Sequence, residues 1–430
     1  MSARALVAPP RRGACPGLSA PMPTGDGLLV RLLPSGTIPV AGFAGLCRAA
    51  RRHGNGIIEI TSRGSIQVRG LRDETAPRFA AAVAALGIAA AGGIPIHCNP
   101  LSGVDSGEIF DSAALAGELR RTLAGTAFAT KLNAKVSVAI DGGGALGLAT
   151  LSADVRLRAQ QANGNVVLRV GVGGDDQTAI DLGNVDPSRG AEAAVRLLEV
   201  VARHGPERCA RDIIAAGGAA TFRAAAADII SPEMQSCSRA NEDGVIGIHT
   251  LRGGSFACGI GFAFGHSDAT TLERLTQAAG VAGASGFRAA PGRALLAIGL
   301  PCASTSTFAV AAEKLGFITR ADDPRRSVFA CAGAPICASA HIAARALAPA
   351  IASQVAPFRD DAFTVHISGC AKGCACAAPA GLTIVGTPDG YALIAEGSAR
   401  DPAFTVVTAD ELAHAIAGFA RERRREAAHV

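Results

Sequence analysis

Two cysteine pairs near the C-terminal end have the residue types and spacing that could do chemistry: Cys331 and Cys337 in FACAGAPICASAH, then Cys370 and Cys374 in HISGCAKGCA. Five residues separate the first pair, three separate the second, and about thirty lie between the pairs. Four thiolates so arranged can converge on one metal centre. Zinc sites favour tighter pairs, whereas iron-sulfur clusters accept wide and uneven spacing because each thiolate binds a different corner of a cube. The pattern points to a 4Fe-4S cluster, against the plainer alternative of four small core cysteines. Cys376 adds a fifth sulfur, read as a small buried residue because the cube needs only four ligands. Lys372, between Cys370 and Cys374, either offsets the charge of the cluster, reaches a substrate carboxylate, or is a solvated loop lysine. Lysine occurs only at 131, 135, 314 and 372, against abundant arginine, so each one retained is worth weighing.

The rest of the composition bounds what surrounds these sulfurs. A chain of 430 residues suggests roughly three domains, each large enough for its own core. With 49% hydrophobic and 18% charged residues it reads as a soluble globular protein. Aromatic content is 4% and tryptophan is absent, so Ala, Val, Ile and Leu must fill the interior. The net charge of +5 is modest and partly held in the terminal RERRRE, a solvated helix end rather than a nucleic-acid patch. Neither DNA nor RNA is expected as a partner. Twelve scattered cysteines do not form the dense framework of a small secreted domain, and no apolar signal segment follows Arg11 and Arg12, so a reducing cytoplasm is expected. Residues 79–96 lack charge but are broken by Gly92, Gly93 and Pro95; they read as a helix ending near Leu86 and a loop, not a membrane span.

Periodicity supplies the elements. GLLVRLLPSG reads as a strand, Ala41 to His53 as a helix, GIIEITSRGSIQVRGL as two strands with Arg63 and Gly64 at the tip, and Asp73 to Leu86 as a helix. A similar order returns at 244–300, with a helix at Ala269 to Ala279 and GRALLAIGL in the place of GSIQVRGL, which suggests an internal repeat. Between the copies lie a helix near Ala113 to Leu123, strands at KVSVAID and NVVLRVGVGG, and helices after Arg189. The last unit holds a strand at FTVHISGC, a hairpin at LTIVGTPDGYALIAEG, and a helix from Cys337 to Ser353 whose first amides would face the thiolates. GVGGDD at 171–176 reads as a turn after a strand and not as a dinucleotide fingerprint. The units are expected at 20–90, 91–235, 240–304 and 305–430, in an α+β fold.

The cysteine pattern, TSRGSIQ at 61–67, LNAKVSVAIDGG and the repeat together resemble the sirohaem-type sulfite and nitrite reductase superfamily. Within it, CPGLSAPMPTGDGLLVRL and SGCAKGCA most resemble the precorrin-3B synthase family. The resemblance covers residues 14–415. It implies a three-domain reductase-like fold with ferredoxin-like half-domains paired around a tetrapyrrole pocket. It also implies that Cys331, Cys337, Cys370 and Cys374 hold the cluster, with Cys374 at the position that bridges to sirohaem iron in sulfite reductases. Arg31, Arg63 and Gln67 match macrocycle- or anion-binding positions. Lys135 matches the first lysine of the reductases' Lys-x-Lys segment, but Ser137 stands at the second. A small anion reduced by several electrons needs dense positive charge, and losing a lysine weakens it. Substrate carboxylates, by contrast, still suit guanidinium forks. Arg69 and Arg293 are further pocket candidates or solvated strand ends.

The activity this implies is an oxygen-dependent monooxygenase of cobalamin (vitamin B12) biosynthesis, converting precorrin-3A to precorrin-3B by C20 hydroxylation and γ-lactone formation. A mononuclear non-haem iron is implied beside the cluster. No facial triad can be read from the spacing of His97, His249, His266 and His366, each of which also suits a structural role. An external reductase or ferredoxin drawing on NAD(P)H is the implied donor. Two other classes remain open: a sirohaem-dependent sulfite or nitrite reductase, and a non-catalytic iron-sulfur tetrapyrrole carrier.

Overall fold

Four five-stranded sheets carry the chain in the computed structural model, which describes residues 16–89, 92–232, 244–356, 363–376 and 378–427. Cys15 and the expected unit boundaries at 91, 235 and 240 lie outside the described residues. The first sheet is built from Met22–Thr24, Gly27–Leu32, Ile66–Leu71 and Ile57–Ile60, and its last strand, His266–Asp268, comes from the other half of the chain. The second repeats that order with Gly247–Thr250, Phe256–Gly261, Ala294–Leu300 and Gly286–Ala290, and closes on Ile38–Pro39 from the first half. Each half-domain thus lends its partner an edge strand. Alternation explains the register: Val30, Ile58, Ile60, Ile66 and Val68 point into a single apolar core. Leu272, Leu275 and Phe287 enter the same core from the second half, while Arg31, Glu59 and Gln67 occupy the opposite face. The fold is α+β, as the sequence suggested.

The remaining two sheets also match each other. In the middle unit Ile96–Cys98, Val138–Asp141 and Ala153–Ala162 run parallel in that order, followed by antiparallel Asn165–Gly174 and Ile180–Val185. In the last unit Val328–Ala330, Val365–Ser368 and Ala380–Thr387 run parallel, followed by antiparallel Gly390–Gly397 and Thr405–Val407. Ligand loops in such sheets cluster at the carboxyl ends of the parallel strands. Both cysteine loops begin there, at Cys331 and just after Ser368.

Several elements depart from the sequence expectation. The helix expected over 337–353 starts only at Ala344 and ends at Val355. Its expected first turns are spent elsewhere, because the N–H of Ala338 donates to Gly25 and that of His341 to Gly369. No helix N-terminus therefore faces the sulfurs from Cys337. The strand Ala153–Ala162 and the helix Cys302–Lys314 were not foreseen, nor was the second repeat. Among the described residues no helix is long and apolar enough to cross a membrane, and the helix at 76–85 ends close to Leu86.

Candidate functional site

Cys331 leaves its strand beside the strand Val365–Ser368, to which it is bound through its own N–H and the carbonyl of Ile367. Its sulfur accepts the N–H of Gly369 at 3.0 Å. Burial raises the thiol above its ordinary range, and the sulfurs of Cys374 and Cys370 add to the rise, so these three side chains share one neighbourhood. Cys337 lies in the turn that packs on the second cysteine loop: Lys372 Nζ donates to Ser339 Oγ at 3.1 Å, and His341 N–H to the carbonyl of Gly369 at 2.8 Å. A side chain at Gly25 would lie 2.4 Å from Cys337 Sγ, so only glycine admits that sulfur. Of the four thiols Cys374 is the exposed one. Soft sulfur donors with no carboxylate among them fit an iron-sulfur cluster. Among the described residues no three His, Cys, Asp or Glu side chains converge as they would around a single ion. A cubane takes its thiolates at separate corners and does not require that convergence.

Above these loops lies the outward face of the first sheet. Cross-strand register lines up His266, Glu59, Gln67 and Arg31 in one row. Arg31 donates to Gln67 Oε1 through Nη2 at 2.9 Å, and Gln67 Nε2 donates to Glu59 Oε2 at 3.1 Å. Glu59 also pairs with Arg345 from the last unit and with Arg69 at 3.5 Å. Arg69 forks onto Asp26 at 2.8 and 2.7 Å, with its side chain 10% exposed. It is a buried clamp and not a solvated strand end. Arg293 is equally engaged: its Nη2 donates to the carbonyl of Ala375 at 2.7 Å, and its guanidinium stacks 4.0 Å over the ring of Phe329.

A second patch of positive charge forms where the first half-domain meets the middle unit. Arg63, at the hairpin tip, donates to Ser137 Oγ at 3.0 Å and to the carbonyl of Ser152. Burial, then the charges of Arg63, Arg31 and Arg120, push the His97 imidazole down to about 3. The charges of Arg31, Arg63 and Arg120, the last from the helix Ser112–Ala124, thus all bear on one neutral histidine. Lys135 stands apart: it is exposed, its N–H is bonded to Asn133 Oδ1, and its charge is felt by Cys209.

Comparison with known proteins fits this arrangement. Residues 20–86 match the family model described as the nitrite/sulfite reductase ferredoxin-like half domain. The chain is 38% identical over 396 residues to a precorrin-3B synthase of Sinorhizobium sp., covering 92% of this chain and 85% of that protein. The chain belongs to the precorrin-3B synthase family. It is also 24% identical over 380 residues to a ferredoxin–nitrite reductase of Synechococcus elongatus, covering 80% of this chain and 72% of that one. Among solved structures the Mycobacterium tuberculosis NirA protein superposes with a TM-score of 0.72 over 91% of this chain and 79% of its own, at 20% identity, which speaks for the fold.

In this member of the precorrin-3B synthase family the four histidines do not assemble. His249 Nε2 contacts the carbonyl of Val245 at 3.2 Å and His266 Nδ1 that of Phe264 at 3.5 Å. His366 is fully buried with both ring nitrogens lacking a hydrogen-bond partner, and burial followed by the charge of Arg293 pushes it down to about 4. Glu59, Arg120 and Arg345 were missed from the sequence. For Glu59 a signal existed, since its place in IIEI puts it on the same strand face as Gln67 across the hairpin.

Proposed function

We propose that the chain is the oxygen-dependent synthase that converts precorrin-3A to precorrin-3B. The carrying observation is the contact between Arg63 and Ser137. A side chain that would be lysine in an anion-reducing site is here a buried hydroxyl accepting from a guanidinium, which suits a pocket for substrate carboxylates better than one for a small anion. On this reading one oxygen atom of dioxygen becomes the C20 hydroxyl and the other leaves as water. Two electrons and two protons complete the balance, and the ring A acetate closes onto C1 as the γ-lactone. The electrons come from an external reductase or ferredoxin drawing on NAD(P)H.

The residues have distinct roles. Cys331, Cys337, Cys370 and Cys374 would hold the 4Fe-4S cluster, which when bound relays electrons one at a time. Arg31 and Arg63 bind substrate acetate and propionate groups through planar forks, and Gln67 fixes the orientation of Arg31. Lys372 braces the cysteine loop through Ser339 and is a second-rank substrate contact, as is the exposed Lys135. His97, kept neutral, adds no charge among the arginines. No two histidines and a carboxylate converge among the described residues, so the expected mononuclear iron has no ligand set there and no step is assigned to it.

Incubation of anaerobically purified protein with precorrin-3A, a reductant and 18O-labelled dioxygen, followed by mass analysis, tests the proposal. One labelled oxygen in the product is expected. Strong sirohaem absorption with sulfite or nitrite turnover, and no label, would replace this reading by that of a reductase.

A further inference from the structure

Glu59 is one of two carboxylates, with Asp26, set among buried cations, and the one that meets Arg345. It lies on the strand Ile57–Ile60, whose Ile58 and Ile60 enter the half-domain core and turn Glu59 toward the last unit. Its side chain is 14% exposed, and its two oxygens meet Arg345, Arg69 and Gln67. Three guanidiniums feel its charge: Arg69, Arg345 and Arg293. Each of the three is also in charge range of a different cysteine, Arg69 of Cys374, Arg345 of Cys331 and Arg293 of Cys376. Through Gln67 the same carboxylate orients Arg31. One side chain therefore touches both the substrate-facing row and the cations around the sulfur loops.

We infer that Glu59 is a positioning residue that sets the reduction potential of the thiolate-held cluster and, through Gln67, the pose of Arg31. The inference rests on the proposed cluster and substrate. Reducing a cluster adds negative charge, which neighbouring guanidiniums favour and a neighbouring carboxylate opposes. In a buried site of low dielectric these charges are felt strongly. Glu59 thus restrains the three cations that would otherwise make the cluster too easily reduced to pass its electron onward. It also holds Arg345, whose Nε and Nη1 are buried without hydrogen-bond partners and whose fixed point is that carboxylate.

The test is a redox titration of the holoprotein followed by electron paramagnetic resonance, with substrate affinity read from the absorbance of added precorrin-3A. Glu59→Gln should favour the reduced cluster about tenfold, an upward shift of ~59 mV for one electron. It should also raise KM more than it lowers kcat, since a glutamine amide offers one acceptor oxygen where Arg345 and Gln67 use two. Glu59→Asp should return the potential toward wild type while KM stays raised. Arg345→Met, which removes a cation instead, should move the potential downward and serves if Glu59→Gln fails to fold. Folded variants with an unchanged potential, or shifts of the same sign in Glu59→Gln and Arg345→Met, overturn this inference alone. A wild-type protein without iron and sulfide overturns it together with the proposed cofactor.

Discussion

Arg63 reaches from the hairpin tip of the first half-domain to the middle sheet, where its Nη2 lies 3.0 Å from Ser137 Oγ. Ser137 is 1% exposed and also takes Asp154 Oδ2 on its own N–H at 2.9 Å. A lysine at 137 would have to bury its ammonium against that guanidinium. Ser137→Lys should therefore destabilise the fold by roughly 3 kcal/mol, the scale of an uncompensated buried charge. It should weaken precorrin-3A binding and confer no sulfite or nitrite reduction. Urea unfolding and substrate titration check both halves; a stable variant that reduces nitrite would reverse the argument from this position.

The sulfur loops make a sharper demand. Cys331→Ser, Cys337→Ser, Cys370→Ser and Cys374→Ser should each abolish or strongly reduce iron and acid-labile sulfide, measured against about four of each in the parent. Cys376→Ser should keep both, because its sulfur is bonded to the carbonyl of Ala378 at 3.5 Å and is surplus to a cube. Loss of iron in Cys376→Ser with retention in Cys374→Ser would move the fourth ligand two residues along the chain.

How much of this was legible follows from what is local in the chain. Cysteine spacing is local, so the cluster loops could be read, and Arg31, Arg63 and Gln67 stand in short motifs that resemble those of the family. The link from Glu59 to Arg345 spans 286 residues and exists only because the last unit packs on the first sheet. The second repeat was hidden for a related reason. Asn99 follows its strand where Cys331 follows the matching one, and Asn99 is tied to Asp141 at 2.7 Å in a polar knot that bears no sequence likeness to a cysteine loop. The helix expected from Cys337 failed because its amides serve Gly25 and Gly369, partners that periodicity does not show.

Asp26, in the turn between the strands Met22–Thr24 and Gly27–Leu32, is tied to the sheet by Arg69. Burial works against the ionised Asp26, but hydrogen bonds and charge from Arg69 overcome it and leave the carboxyl below its usual value of 3.8. The stabilisation is thus present above the unfolded value and is lost as the pH falls through the lower folded one. Asp26→Asn should cost about 3 kcal/mol at pH 7, since it leaves a buried guanidinium half-paired. In acid the two proteins should converge as the wild-type carboxyl protonates below pH 3.8. Denaturant midpoints at pH 7, 4 and 2.5 would show whether the gap closes.

His97 acts in the same sense but over a higher pH range. An unfolded histidine takes up its proton near pH 6.5, whereas in the fold burial and the charges of Arg63, Arg31 and Arg120 delay uptake to about 3. Between those values the unfolded chain binds a proton that the folded one refuses, so stability is whole above pH 6.5 and declines as the pH falls toward 3. By pH 5 this site alone should have withdrawn about 2 kcal/mol. His266 and His366, both pushed down to about 4, act in the same sense and remain in a His97→Gln variant. The difference between the two proteins therefore isolates His97. Unfolding free energies at pH 7.5, 6 and 5 should fall less steeply in His97→Gln than in the parent, and parallel slopes would mean that the arginines do not surround this ring.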